Sequence, residues 1–260
     1  MQFLQFDSLK DIPGLRHAIT TRGGSCAGPY HDLNLAYHVG DDAERVTANR
    51  KKLAAELGYE AASLVAAQQV HRLRVQFVSE LETGRGAFDW GSAIPDCDIL
   101  IVEKVDSVPA LIQVADCAPI ILVDEHDPAF ALIHAGWRGA TAKIASLTAA
   151  QMRVRCYTDW ELLHVGIGPC LCANCFEVGP EVVEAAQKIA PESIIQRSDW
   201  QKPHLDLRLL IQRDLENNGF CPENIEIMPH CPRCQNDLFF SHRGQNSKAG
   251  RFGLVAWWEE

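Results

Sequence analysis

Three residues of this 260-residue chain combine metal-binding chemistry with a place at the end of an apolar run: His71, Cys117 and His134. Cys117 sits in "VADCAPI" and His134 in "IHAGWRG", and each interrupts sequence that otherwise reads as a buried strand. His71, in "QQVHRLRV", lies between two more strand-like runs. A side chain at a strand end is held by a rigid frame and still reaches a cleft. One cysteine and two histidines drawn from three strand ends suit an open zinc site, with three protein ligands and a fourth position for water. The same residues also fit ordinary core or surface roles. Ten histidines and ten cysteines supply many trios, and no two of these three share one short motif.

A second group surrounds His134. Gly136 and Gly139 flank Trp137 and Arg138, just ahead of a helix expected over 140–152. A glycine turn leading into a helix presents backbone N–H groups to an anion, and Arg138 adds a fork of donors suited to phosphate. The alternative is a tight turn with Arg138 facing water. Cys170, Cys172 and Cys175 form C-x-C-x-x-C, and Cys231 and Cys234 form C-x-x-C. Such spacing suits thiolate ligands of a structural zinc, with free reduced thiols as the alternative. Cys97, in "PDCDI", is assigned no role.

The elements that must position these residues follow from periodicity. Runs at 15–21, 63–70, 73–79, 98–103, 109–115, 119–123, 129–134 and 162–168 read as strands, as do "IEIMP", "LFFS" and "FGLVAWW". Helices are expected over 41–58, 140–152, 178–190 and 203–218. The first has a capping-box-like start at Asp41 and Glu44 and a stop at Gly58. "RGGSCAGPY" reads as a glycine turn. Connections between strands are mostly short, so antiparallel or mixed sheet is expected rather than a regular βαβ array. The expectation is one α+β domain spanning 1–260.

Composition narrows the function classes. Hydrophobic residues make up 47% of the chain, enough for a sizeable core. A formal net charge of −10 and no dense Lys/Arg stretch argue against nucleic acid or an anionic membrane as the main partner. No apolar run reaches membrane-spanning length, and "MQFLQFDSLKDIPG" lacks the basic start of a signal peptide. A cytoplasmic location with reduced thiols is expected.

The motifs together carry a resemblance. "VADCAPIILVD" followed by "FALIHAGWRG" resembles the laccase-domain, or polyphenol oxidase, family of YfiH-like purine nucleoside phosphorylases. The likeness continues in "TTRGGSCAGPYHDLNLAYHVGDDAERVTANR" (20–50), "QQVH", "GIGPC", "FEVGPEV", "FFSHR" and "GRFGL", in family order over nearly the whole chain. It implies an α+β fold, a mixed β-sheet sandwich flanked by helices, distantly similar to the catalytic domain of cytotoxic necrotising factors. It implies zinc bound by His71, Cys117 and His134. It supports a cysteine at Cys170 and at Cys231, without a dedicated second zinc. The chain departs from the family pattern at Arg72, where glycine is usual. It departs again at His242 and Gly244, where tyrosine and a basic residue are usual.

The implied substrates are purine nucleosides and phosphate. The implied reactions are phosphorolysis of adenosine, inosine, guanosine and S-methyl-5′-thioadenosine, and deamination of adenosine to inosine. Deamination needs a nucleophile at the purine C6, and zinc supplies one by lowering the pKa of water to about 7. Phosphorolysis needs an anion site, for which Arg138 is the first candidate, with Arg22 ("TTRGG") and Arg243 ("FFSHR") behind it. Cys117, His134 and Arg138 are thus the candidate catalytic residues, and Arg22 and Arg243 candidate substrate contacts. Two other readings draw on the same residues. Cys117 with His134 as base would make an acyl-transfer nucleophile acting on amide bonds or cell-wall precursors. His₂Cys also suits copper, but a multicopper oxidase needs closely paired histidines, and no H-x-H occurs. A zinc-containing binding protein without turnover would release no ribose 1-phosphate.

Overall fold

The computed structural model describes residues 2–23, 28–160 and 162–259; the glycine turn expected around Arg22 falls in part on 24–27, outside them. Two sheets dominate. The smaller has five strands in the order β1 (Phe3–Leu4), β2 (Leu15–Thr20), β13 (Phe252–Trp258), β6 (Ala110–Val114) and β3 (Val65–Ala66). The larger has six: β12 (Ile225–Ile227), β9 (His164–Ile167), β7 (Ala118–Asp124), β8 (Ala129–Ala135), β5 (Ile99–Glu103) and β4 (Val75–Val78). β10 (Ile194–Ile195) and β11 (His204–Leu205) form a separate ribbon. Both large sheets are mixed: β3–β6, β4–β5 and β9–β12 are parallel pairs among antiparallel neighbours.

Strand periodicity sorts the core into layers. Leu100, Val102, Ile121 and Val123 of the larger sheet meet Ile112, Val114, Leu254 and Ala256 of the smaller one. Their sequence neighbours Ile99, Ile101, Ile120 and Leu122 point the other way, into helices α3 (Ile144–Cys156) and α5 (Leu207–Asn217). On the far side of the small sheet, Ala18, Leu111, Val255 and Trp257 share a cluster with Leu53 of α1 (Ala43–Leu57). Two sheets face to face with helices outside both make the expected α+β sandwich. β7 and β8 are buried along their whole length, which explains their near-continuous apolar sequence. Each large apolar side chain buried there stabilises the fold by roughly 1.5–3 kcal/mol.

The local expectations need several corrections. The helix expected over 140–152 is two helices, α2 (Trp137–Thr141) and α3, broken where Lys143 takes a left-handed φ of 61°. α1 is capped by Asp42, whose side chain accepts from the Glu44 N–H, rather than by Asp41; Gly58 ends it at φ 88° as expected. "LFFS" is no strand, because Phe239 and Phe240 point into the core from a series of turns. Of the 63–70 run, Val65–Ala66 forms a strand and Ala67 makes an isolated bridge to Ile94, and the helix expected from 203 begins at Leu207, since His204–Leu205 pairs with β10. α4 (Pro180–Gln187) is shorter than 178–190. Among the described residues no helix is long and apolar enough to cross a membrane.

Candidate active site

Register builds the site. β7 pairs with β8 so that Ala118 faces Ala135 and Pro119 faces His134, which brings Cys117 and His134 to the same end of the larger sheet. β5 pairs with β8 with Ile99 opposite Ile133, so Asp98 lies beside His134, and the His134 N–H donates to the Asp98 carbonyl at 2.9 Å. β4 runs parallel to β5, and the turn before it delivers His71 to the same end. The three donor atoms of His71, Cys117 and His134 lie within 4.8 Å of one another. His71 Nε2 is 3.8 Å from Cys117 Sγ, and the two imidazole centroids are 4.6 Å apart.

Asp98 organises this cluster. Its fully buried carboxylate accepts from His134 Nδ1 at 2.7 Å and from the backbone N–H groups of Val70, His71 and Arg72 at 2.9–3.1 Å. Burial alone would raise its pKa. The bonds from His134 and the backbone outweigh burial and hold it below its usual value. Those bonds also pin His71 at a left-handed φ of 62°, a backbone state that costs a non-glycine residue free energy. With Nδ1–H on Asp98, His134 keeps Nε2 for a metal or a proton. Cys117 is pulled the opposite way to an ordinary buried thiol: burial opposes ionisation, but the imidazoles of His134 and His71 more than offset it and lower its pKa. His134 is raised in turn, because the Cys117 and Asp98 anions outweigh its desolvation.

These donors fit a zinc ion. Bonds of about 2.0–2.1 Å to nitrogen and about 2.3 Å to sulfur give tetrahedral donor separations close to the observed one. Gly136 makes room: a Cβ there would lie 2.9 Å from His71 Cδ2 and 3.1 Å from Cys117 Sγ.

The cluster opens into a cavity of about 620 Å³, the size of a small-molecule site. Trp137, Phe176, Gln113, Arg138, Arg243 and Arg251 are among its lining residues. Arg138 is exposed and lies over the Trp137 ring, 4.4 Å from its centre; it sits inside the short helix α2, not in a turn ahead of a helix. Arg243 donates to the Glu177 carbonyl at 2.9 Å and stacks over Phe176. Its backbone N–H donates to Asp116, which also accepts from Ser241 Oγ at 2.7 Å, so Asp116 fastens the 241–243 turn beside Cys117. Arg22 is not in this cavity. It is buried, it donates to the carbonyls of Asn236 and Gly28, and it borders a separate hollow with Arg45 and Lys52.

Several residues here escaped the sequence reading. Asp98 stands beside the discounted Cys97, and its only signal was a carboxylate opening an apolar run. Asp116 falls between the apolar runs 109–115 and 119–123 and carries no other mark in the sequence. Gln113 lines the cavity with both side-chain amide atoms buried and without a partner among the described residues. Arg251, from "GRFGL", carries a pKa lowered by burial.

Known proteins resemble this chain throughout. An adenosine deaminase named RL5, from an unknown prokaryotic organism, is 34% identical over 251 residues, covering 95% of each chain. Purine nucleoside phosphorylase YlmD of Geobacillus stearothermophilus is 33% identical, over 89% of this chain and 85% of that one. The crystal structure of YlmD from that organism superposes with a TM-score of 0.91 over 99% of both chains at 30% identity. Residues 16–259 match the family described as multi-copper polyphenol oxidoreductase laccase, and the chain belongs to that laccase-domain family.

Proposed function

We propose that the chain is a zinc-dependent purine nucleoside enzyme. It deaminates adenosine to inosine, and it cleaves adenosine, inosine, guanosine and S-methyl-5′-thioadenosine with phosphate to the base and the ribose 1-phosphate. The observation that carries this reading is the convergence of His71, Cys117 and His134 at the floor of a nucleoside-sized cavity, with Asp98 fixing His134 from behind. Zinc held by these three supplies Lewis acidity, which lowers the pKa of water to about 7. The names of the relatives, an adenosine deaminase and purine nucleoside phosphorylases, support the substrate class.

The protein's own groups divide the remaining work. Asp98 keeps the His134 Nε2 lone pair aimed at the ligand cluster and stabilises positive charge on the ring. Trp137 and Phe176 offer flat faces to a purine, and the unpartnered Gln113 amide offers it one donor and one acceptor. Arg138 and Arg243 place fixed positive charge at the cavity for phosphate. Arg22 holds loop carbonyls and takes no part in this reading.

The test is one assay. Purified protein given each nucleoside should form inosine from adenosine without phosphate, and should release ribose 1-phosphate only when phosphate is present. Absence of both products, from zinc-replete protein and all four nucleosides, would sink the proposal.

A second reading has its own observation: Asp98, His134 and Cys117 form an acid–base–thiol array, and the imidazoles lower the Cys117 pKa. His71 favours the metal, because a triad has no use for a third donor within reach of the thiol. Under the zinc reading, Cys117 resists alkylation until a chelator is added. Rapid alkylation of Cys117 with zinc still bound would favour the hydrolase. Copper-dependent phenol oxidation is not proposed, since no second histidine-containing cluster occurs among the described residues.

A further inference from the structure

Behind the cavity wall, two short turns bring four cysteines together. The sulfurs of Cys172, Cys175, Cys231 and Cys234 all lie within 4.8 Å of one another. Cys234 Sγ is 3.4 Å from Cys175 Sγ and 3.9 Å from Cys172 Sγ. A disulfide requires about 2.05 Å, and all four are free thiols. Four thiolates around one zinc, each at about 2.3 Å, form a tetrahedron with edges of about 3.8 Å. The observed spacing brackets that edge.

The backbone is shaped for such a centre. Each pair is a C-x-x-C turn: the Cys175 N–H donates to the Cys172 carbonyl, and the Gln235 N–H to the Cys231 carbonyl, both at 2.9 Å. The Cys172 N–H donates to Cys231 Sγ at 3.4 Å, crossing from one turn to the other. Hydrogen bonds of this kind favour the thiolate, the form that ligates. Arg208 of α5 clamps both chain segments just before their cysteine pairs, donating to the carbonyls of Cys170 at 3.0 Å, Pro229 at 3.3 Å and His230. Arg233, between Cys231 and Cys234, donates to the Cys175 carbonyl at 3.4 Å. Two guanidiniums therefore stand near a centre that would carry two negative charges once four thiolates hold a dication. Cys170, the third cysteine of its motif, is not among the four.

We propose that Cys172, Cys175, Cys231 and Cys234 bind a second zinc ion, structural and closed to substrate, which ties residues 170–177 to the 229–235 turn. All-thiolate tetrahedral sets select zinc or iron–sulfur centres. Sulfurs this close enclose a single ion. A polynuclear iron–sulfur cluster distributes its cysteines over separate irons and needs a wider cage. The tie bears on the cavity. Leu171 and Phe176 line it, and the Leu171 N–H donates to the Asp116 carbonyl at 3.0 Å, next to Cys117. The second zinc braces that wall without touching substrate.

The measurement is metal content per chain, which leaves the purine reading out of the readout. Wild-type protein should hold about two zinc ions, and both Cys117→Ala and the Cys172→Ser/Cys234→Ser double variant about one. The Cys117→Ala chain, refilled with cobalt, should show the strong thiolate-to-cobalt charge transfer of four sulfurs. It leaves all four cysteines intact, so it decides the matter even where the double variant fails to fold. Loss of all metal from Cys117→Ala, iron in place of zinc, or a cobalt spectrum with fewer than four thiolates would overturn the proposal. So would a double variant that keeps the wild-type zinc content.

Discussion

Gly136 and Cys117 lie just beyond the Ala118–Ala135 pair that ends the β7–β8 ladder, and a methyl group on the Gly136 Cα would lie 3.1 Å from Cys117 Sγ. The Gly136 backbone, at φ −78° and ψ 177°, is open to any residue. The demand for glycine is therefore one of space, not of conformation. Gly136→Ala should push His71 and Cys117 apart while leaving the strands paired. Zinc affinity should fall roughly 10–100-fold, the range for misoriented ligands. Competition with a chromophoric chelator reads this out, beside a melting curve to confirm the fold. Unchanged affinity would mean that the donors do not share an ion.

Asp98 acts on the site through His134 and the 70–72 backbone. Asp98→Asn removes the charge and can present an N–H where the His134 Nδ1–H now donates. Zinc affinity should drop by roughly one to two decades, and a loss of stability should accompany it as the three backbone N–H groups lose a charged acceptor. A variant that keeps its metal affinity while only its melting temperature falls would reduce Asp98 to a structural role.

The arginines separate by where they stand. Arg138→Ala should slow phosphorolysis by about one to two decades, the worth of one charge-assisted contact of roughly 1.5–3 kcal/mol. Deamination consumes no phosphate and should suffer much less. Arg243→Ala should behave in the same direction, with an added loss from the freed Glu177 carbonyl contact. Arg22→Ala should instead lower the melting temperature, because its guanidinium holds the Asn236 and Gly28 carbonyls away from the cavity. Equal loss of both activities in Arg138→Ala, with reduced stability, would make Arg138 a brace rather than a phosphate contact.

His17 gives a pH prediction remote from the metal. Burial lowers its pKa to about 4, and its Nε2 lies 2.9 Å from the Phe6 N–H, a donor that only the unprotonated nitrogen can accept. The folded state thus binds this proton less readily than the unfolded state does, where the value is near 6.5. The stabilisation is complete above about pH 6.5 and is lost as pH falls from there towards about 4, by at most roughly 3 kcal/mol. His17→Asn should flatten the fall in denaturant-measured stability between pH 7.5 and 5 relative to wild type. An unchanged slope would show that His17 is solvated.

How far the sequence reaches can be judged residue by residue. The strand itself was legible, because Ile99, Leu100, Ile101 and Val102 read as an unbroken apolar run; which of them face the second sheet and which the helices was decided by the fold. The exact helices were less so: Lys143, at the junction of α2 and α3, adopts a left-handed conformation that no propensity favours. The phenylalanines of "LFFS" were apolar for the core's sake and not for a strand's.

The three proposed metal ligands stood out because each lies at the end of an apolar run, and the family resemblance pointed to the same three; the fold brings their donor atoms within 4.8 Å of one another. Their support did not stand out. Asp98 and Asp116 act by accepting hydrogen bonds from chain segments up to 127 positions away, and a lone carboxylate carries no periodic mark of its partners. The two C-x-x-C turns were visible as pairs from their spacing. That Cys172 meets Cys231 across 59 positions was decided only when the segment after β9 folded against the turn after β12. Likewise Arg22, Arg138 and Arg243 are alike as sequence. Local spacing determines which residue types can do chemistry, whereas strand register and long-range turns determine which of them share a few ångströms of space.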